Sequence, residues 1–198
     1  MNGGSSPQIV VVPDLVRRLA RLRVPLGFVF AIVVLWLAQP TGSSLIRGSL
    51  VAMVGEGLRI WAAGHLNKSR EVTSSGPYRW FGHPLYAGSA MMGAGLAIAA
   101  NDLVVTLIIA AYLAITITAA IRSEEAFLRQ AFGDQYERYR RGSAGNSGAT
   151  SPPRRFNLAQ AIANREHRAV AGLAIAVLLL VLKATYNGVF GGTGAGHQ

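Results

Sequence analysis

The fold is decided by one stretch, Pro84–Ile121, which reads PLYAGSAMMGAGLAIAANDLVVTLIIAAYLAITITAAI. It contains two apolar runs, Pro84–Ala100 and Leu103–Ile121, and its only charged residue is Asp102. Crossing a bilayer core of about 30 Å takes roughly 20 helical residues. Because only two residues separate the runs, they predict an antiparallel helical hairpin within a membrane.

Three more apolar runs flank this hairpin: Val24–Ala38, Leu45–Gly64 and Ala169–Tyr186. The whole chain of 198 residues is 51% hydrophobic and only 14% charged, whereas a soluble domain has about 25% charged residues. This composition argues against soluble domains, and its apolar content excludes disorder over most of the length. We therefore predict a single all-α, polytopic membrane domain with about five transmembrane helices.

Basic residues fix the predicted orientation. Of the 19 Lys and Arg residues, 16 lie before the first run, between the second and third, or between the fourth and fifth. The opposite loops, Gln39–Ser44 and Asn101–Asp102, contain none. The positive-inside rule then places the N-terminus in the cytoplasm and the C-terminus outside. We expect the membrane to be a bacterial inner membrane. Because this asymmetry explains most of the net charge of +10, we expect no nucleic-acid partner.

The remaining segments are assigned by composition. Residues 1–23 form a basic cytoplasmic arm, residues 142–168 a cytoplasmic linker that is rich in Gly and Ser at its start, and residues 191–198 a tail after a last transmembrane helix at 169–190. Helical spacing of apolar residues extends the fourth span into an amphipathic cytoplasmic helix that ends near Gly133. The absence of cysteine excludes thiolate metal sites and a cysteine nucleophile, and we expect no metal.

The second run contains two residues whose charged side chains would cost free energy within the bilayer. Glu56 and Arg59 are three positions apart, so they share one helix face. They form either a structural ion pair or, with Ala63 and His65, the lining of a polar pocket that opens to the cytoplasm.

The loop before the third run is a second candidate site. Gly76-Pro77 predicts a turn, and Pro84 suits the first turn of a helix, with His83 at the N-cap. A helix N-terminus suits an anionic group. Without further evidence, however, His83 is better interpreted as a structural residue at the membrane interface. The nearby aromatic side chains then lie at the level of the lipid headgroups: Tyr78, Trp80 and Tyr86.

Paired carboxylates, Glu124 and Glu125, lie where the fourth helix leaves the membrane. Neighbouring side chains on a helix point about 100° apart, so we expect at most one of the two to face a given pocket. The alternative to a functional role is a solvated flank in which Glu125 pairs with Arg129 at i,i+4.

Together these motifs resemble a known family. Gly-Pro-Tyr at 76–78, His-Pro-Leu-Tyr-Ala-Gly at 83–88 and Glu-Glu-x-x-Leu-x-x-x-Phe-Gly-x-x-Tyr-x-x-Tyr at 124–139 are similar to the isoprenylcysteine carboxyl methyltransferases and the related bacterial phospholipid methyltransferases. The resemblance covers about residues 45–141 and implies a methyltransferase-like core at 24–141. It further implies S-adenosylmethionine as cofactor in a cytoplasmic pocket, and a lipophilic acceptor that enters from the bilayer.

The resemblance also suggests roles for individual residues. It implies cofactor binding by His83, Tyr86, Tyr78, Gly88, Glu124 and Glu125, and catalytic roles for Glu125, Arg79 and Arg59. The family usually has arginine directly before His-Pro, where this chain has Gly82. A carboxylate acceptor would therefore need Arg79, Arg59 or Arg122 to take over that role.

The expected reaction is attack of an acceptor on the activated methyl group, so the protein mainly positions two reactants. A carboxylate acceptor needs no base, whereas a hydroxyl or ammonium acceptor needs one, from Glu125, Glu124 or His83. Two alternatives stay open. One is an NADPH-dependent sterol-type membrane reductase, and the other is a non-enzymatic membrane transporter or scaffold.

Overall fold

The computed structural model describes residues 29–66, 75–133 and 155–188. Within these ranges all regular structure is helical, which confirms the all-α prediction for them. The helices are α1 (29–37), α2 (Gly42–His65), α3 (Pro84–Ala100), α4 (Leu103–Phe132), α5 (Leu158–Ala163) and α6 (His167–Tyr186), with a short 3₁₀ helix at Gly76–Arg79. The predicted arm at 1–23, the first part of the linker and the tail at 191–198 lie outside the described residues.

The hairpin between α3 and α4 is confirmed. Asn101 adopts the left-handed conformation with φ of 52°, which ends α3. Asp102 then caps α4, since its carboxylate accepts a 2.9 Å hydrogen bond from the Val105 amide. Asn and Asp are the residues that favour these two positions. The turn makes α3 and α4 antiparallel, so the start of α3 and the far part of α4 lie at the same end of the molecule.

Helices α2 and α3 pack with their backbones in direct contact. A Cβ atom at Gly55 would lie 2.7 Å from the Gly88 carbonyl oxygen. One at Gly48 would collide with backbone atoms of Gly95 and Ala99. Small residues at such positions let helices approach closely, which is how helices associate in membranes. This contact fixes α3, and with it His83, relative to α2.

Among the described residues, two helices are long and apolar enough to cross a membrane: Leu103–Ala131 within α4, and His167–Tyr186. Helix α2 has 24 residues but carries Arg47, Glu56 and Arg59, while α3 has only 17 residues. The structure thus supports two of the five predicted spans by length and composition, and the other three stay predictions. The predicted helical extension of the fourth run is confirmed, because α4 continues to Phe132 and ends at Gly133. Its cytoplasmic location stays a prediction.

Helix α5 was missed from the sequence, which assigned its residues to the linker. Asn157 caps it, and the Asn164 side chain after it donates hydrogen bonds to the carbonyl oxygens of Ala63 (2.8 Å) and Leu66 (2.9 Å). These bonds attach the segment to the last turn of α2. A six-residue helix is too short to show periodicity, and its stability comes from this tertiary contact.

Candidate active site

The hairpin brings His83 together with both carboxylates of the Glu124-Glu125 pair. The His83 Nδ1 atom is 3.9 Å from Glu124 Oε2, and Nε2 is 3.6 Å from Glu125 Oε1. The expectation that at most one glutamate would face the site is therefore wrong. Two long side chains that leave α4 about 100° apart can reach opposite edges of one imidazole ring.

Tyr86 and Arg129 extend this cluster. The Tyr86 hydroxyl donates a hydrogen bond to the Glu124 carboxylate, and the Tyr86 ring centroid is 5.9 Å from that of His83. Arg129 Nη2 lies 3.6 Å from Glu125 Oε2, so the i,i+4 pair expected from spacing is present. Glu125 thus contacts His83 as well as Arg129, and the solvated-flank interpretation and the functional one are compatible.

The side chains of the His83 cluster are chemically compatible with S-adenosylmethionine, the cofactor that the resemblance implies. Glu124 and Glu125 are only partly buried, with side chains 41% and 28% exposed, and carboxylates accept hydrogen bonds from ribose hydroxyls and an ammonium group. His83 occupies the N-cap of α3 without a side-chain capping bond, and Pro84 follows it. The start of α3 therefore suits the carboxylate of the cofactor's amino acid part.

Arg59 has a partner that the sequence did not reveal. Its Nε atom donates a 2.6 Å hydrogen bond to Glu166 Oε1 at the N-cap of α6, whereas the predicted partner Glu56 is 3.7 Å away. A second hydrogen bond runs from Arg59 Nη1 to the Ser89 hydroxyl. Arg59 and Glu166 are 107 positions apart in the sequence. The sequence places Glu166 in the predicted linker before the last span, and nothing in the sequence predicted its contact with Arg59.

The remaining predicted site residues lie around these two clusters. Gly88 faces α2, where its Cβ would be 2.6 Å from Arg59 Cγ. Close helix packing therefore explains the glycine, and its predicted cofactor contact stays a prediction. Tyr78 and Arg79 belong to the 3₁₀ helix, Tyr78 half-buried and Arg79 exposed.

The 3₁₀ helix is held against the end of α2. Gly76 has φ of +59°, and a Cβ there would lie 2.7 Å from the buried ring of His65, so this position requires glycine. Trp80 packs on Trp61 at 5.8 Å between ring centroids. The loop therefore covers His65 and packs on Trp61 at the end of α2.

Of the three arginines that could replace the one missing at Gly82, Arg59 is already engaged. Its guanidinium contacts Glu166, Ser89 and Glu56. Arg79 and Arg122 are exposed, and the described ranges contain no ion-pair partner for either. Either could orient an anionic group, and the catalytic role expected for Arg79 stays a prediction.

Comparison with known proteins supports the resemblance. Residues 49–135 match the phospholipid methyltransferase family. The cobalt-zinc-cadmium resistance protein CzcN of Cupriavidus metallidurans is 35% identical over 99 residues, which cover 49% of this chain and 44% of that protein. Protein-S-isoprenylcysteine O-methyltransferase of Schizosaccharomyces pombe is 30% identical over 96 residues, or 48% of this chain and 41% of that protein. No solved structure matches the chain significantly.

The matched segment contains the first half of the motif and the second half as far as residue 135, and the resemblance predicted from them is confirmed. The family match covers less than half of the chain. The chain spans less than half the length of the two curated relatives. Residues 155–188, which include Glu166, lie beyond the family match.

Proposed function

We propose that this chain, whose residues 49–135 match the phospholipid methyltransferase family, transfers a methyl group from S-adenosylmethionine to a lipophilic acceptor at the cytoplasmic side of a membrane. One observation carries the proposal. His83 and Tyr86 begin α3, Glu124 and Glu125 lie 22 or more residues into α4, and the hairpin makes one cluster of them. A chance similarity of two short motifs gives no reason for their side chains to meet.

Each group of the cluster has a proposed role. When bound, S-adenosylmethionine supplies an already activated methyl group, so the chain needs no nucleophile of its own. Glu124 and Glu125 would accept hydrogen bonds from the cofactor's hydroxyl and amino groups. Tyr86 orients Glu124 through its hydroxyl, and Tyr78 would border the cofactor from the loop.

The acceptor decides which catalytic residues are needed. A carboxylate acceptor would be oriented by a guanidinium, for which Arg79 is exposed and Arg59 is engaged with Glu166. A hydroxyl or ammonium acceptor would have to lose a proton, and Glu125, beside His83, is then the proposed base. Lipids, quinones and small isoprenoid acids are the acceptors to be compared.

Ligand-dependent thermal stabilisation tests this proposal. S-adenosylhomocysteine at 100 times its dissociation constant should stabilise the full-length protein by about 2.7 kcal/mol, which is measured as a raised unfolding temperature in detergent. Stabilisation by NADPH instead would support the sterol-type reductase, and stabilisation by neither would support a transporter or scaffold.

Cysteine labelling tests the proposed orientation. With the N-terminus inside and the C-terminus outside, a cysteine introduced at Thr193 should react with an impermeant reagent in intact cells. One introduced at Ser147 should react only after the membrane is opened, because it would follow the cytoplasmic extension of α4. The reverse labelling pattern would contradict the orientation, and a cytoplasmic cofactor site with it.

A further inference from the structure

Glu56 is a buried carboxylate that the proposed mechanism does not use. Its side chain is only 7% exposed, and within the described residues neither of its carboxylate oxygens has a hydrogen-bond partner. Its neighbouring cation is Arg59, whose Nε atom is 3.7 Å from Glu56 Oε2, too far for a hydrogen bond. Buried carboxylates are normally hydrogen-bonded, so this side chain calls for an explanation.

The arrangement around Arg59 shows that the missing partner is not a defect of helix packing. Glu166, whose side chain is also 7% exposed, takes the 2.6 Å bond from Arg59 Nε, and Ser89 accepts from Arg59 Nη1. Arg59 and Glu166 already join α2 to α6 without Glu56. With Glu56 as a second carboxylate beside the same guanidinium, the group of Arg59, Glu56 and Glu166 has an excess negative charge. That extra charge does not stabilise the ion pair between Arg59 and Glu166.

The geometry points to Glu56 as a binding residue for a ligand group that donates N–H or O–H hydrogen bonds, an ammonium or a hydroxyl. This inference rests on the proposed function, because the ligand is one of the two reactants: the methyl donor, or the polar head of the acceptor. Glu166 acts as a positioning residue. By holding Arg59, it keeps the Glu56 carboxylate available to the ligand.

The position of the cluster supports a ligand shared with the His83 site. Ser89, which contacts Arg59, follows Tyr86 by three residues on α3, so the two side chains lie one turn apart on neighbouring faces of the helix. Helix α3 therefore carries contacts to Glu124 at one turn and to Arg59 at the next. Ser89 and Arg59 thus connect the His83 site on α3 to Glu56 on α2.

The test compares binding with stability in the full-length protein. Glu56→Gln and Glu56→Leu are examined by calorimetry with S-adenosylhomocysteine. Methyl transfer is measured with two acceptor probes, N-acetyl-S-farnesylcysteine and phosphatidylethanolamine vesicles. Loss of a charge-assisted contact should weaken one reactant about 10- to 150-fold. A raised dissociation constant for S-adenosylhomocysteine identifies the methyl donor as the ligand, whereas a raised KM for one acceptor with unchanged cofactor binding identifies the acceptor.

The unfolding temperature separates this role from a structural one. Because Glu56 makes no hydrogen bond within the described residues, both substitutions should leave the unfolding temperature of the ligand-free protein unchanged or raise it. A lowered unfolding temperature with unchanged dissociation constant and KM would overturn the inference, as would the absence of any effect. A parent protein that neither binds S-adenosylhomocysteine nor methylates a probe would instead overturn the proposed function, and this inference with it.

Glu166→Gln provides a second, independent variant. Without the Glu166 charge, Arg59 should turn to Glu56 and occupy its carboxylate, so the same reactant should bind more weakly. The double variant Glu56→Gln/Glu166→Gln should then bind that reactant no more weakly than Glu56→Gln alone. Fully additive losses would show that Glu166 does not act through Glu56, and would contradict the positioning role.

Discussion

Replacing His83 by alanine should lower the affinity for S-adenosylhomocysteine about 10- to 150-fold, which corresponds to about 1.5–3 kcal/mol. His83 lies between two carboxylates, 3.9 Å from Glu124 and 3.6 Å from Glu125. Without the imidazole, the two carboxylates lose the ring that lies between them, and the proposed contacts to the cofactor's hydroxyl and amino groups should lose their geometry. Isothermal titration calorimetry on the purified, folded variant measures the loss.

Conservative variants show how much each side chain of the His83 cluster contributes to S-adenosylhomocysteine affinity. Glu124→Gln and Glu125→Gln remove one charge each, and Tyr86→Phe removes only the hydroxyl that donates to Glu124. Each glutamate variant should weaken binding if both carboxylates contact the cofactor as proposed, and Tyr86→Phe should weaken it through Glu124 alone. Arg79→Ala is the control, since it should retain cofactor binding while lowering transfer to an anionic acceptor. Unchanged binding in all the His83, Tyr86, Glu124 and Glu125 variants would place the cofactor site elsewhere.

Gly48→Leu should destabilise the fold by about 3 kcal/mol or more, at the upper end of the range for an overpacked core. A Cβ atom at Gly48 already collides with the Gly95 carbonyl and the Ala99 amide. These are backbone atoms of α3, so no side-chain rotation can relieve the contact. Helix α3 would have to move away from α2, and with it Ser89 and the start of the helix at His83.

Gly57→Leu is the matched control for this prediction. Gly57 lies on the same helix, and nothing is within 4 Å of a Cβ atom built there. The same change should therefore leave the unfolding temperature nearly unaltered, since exposed substitutions usually stay within about 0.5 kcal/mol. The two unfolding temperatures are compared in one detergent, and equal values for both variants would contradict the tight α2–α3 packing.

Local signals in the sequence predicted the elements that carry the His83 site. Asn101-Asp102 between two apolar runs predicted the hairpin, Pro84 predicted the start of α3 at His83, and Gly133 predicted the end of α4. Each is a property of a few neighbouring residues, such as a cap, a missing N–H or a left-handed backbone. Two antiparallel helices joined by two residues return the far part of α4 to the end at which α3 begins, which is where the structure places His83 and the two glutamates.

Contacts between segments distant in sequence were decided only by the tertiary structure. The sequence paired Arg59 with Glu56, three residues away, whereas the structure gives the short bond to Glu166, 107 residues away. Likewise α5 forms against the end of α2 although its six residues carry no periodic pattern, and both glutamates reach His83 although their directions on the helix differ. Local spacing fixes which side chains share a helix face, but the partner of a buried charge depends on how whole helices pack. In this protein that packing is set by glycines such as Gly48 and Gly55, whose small size lets α2 and α3 touch along their backbones.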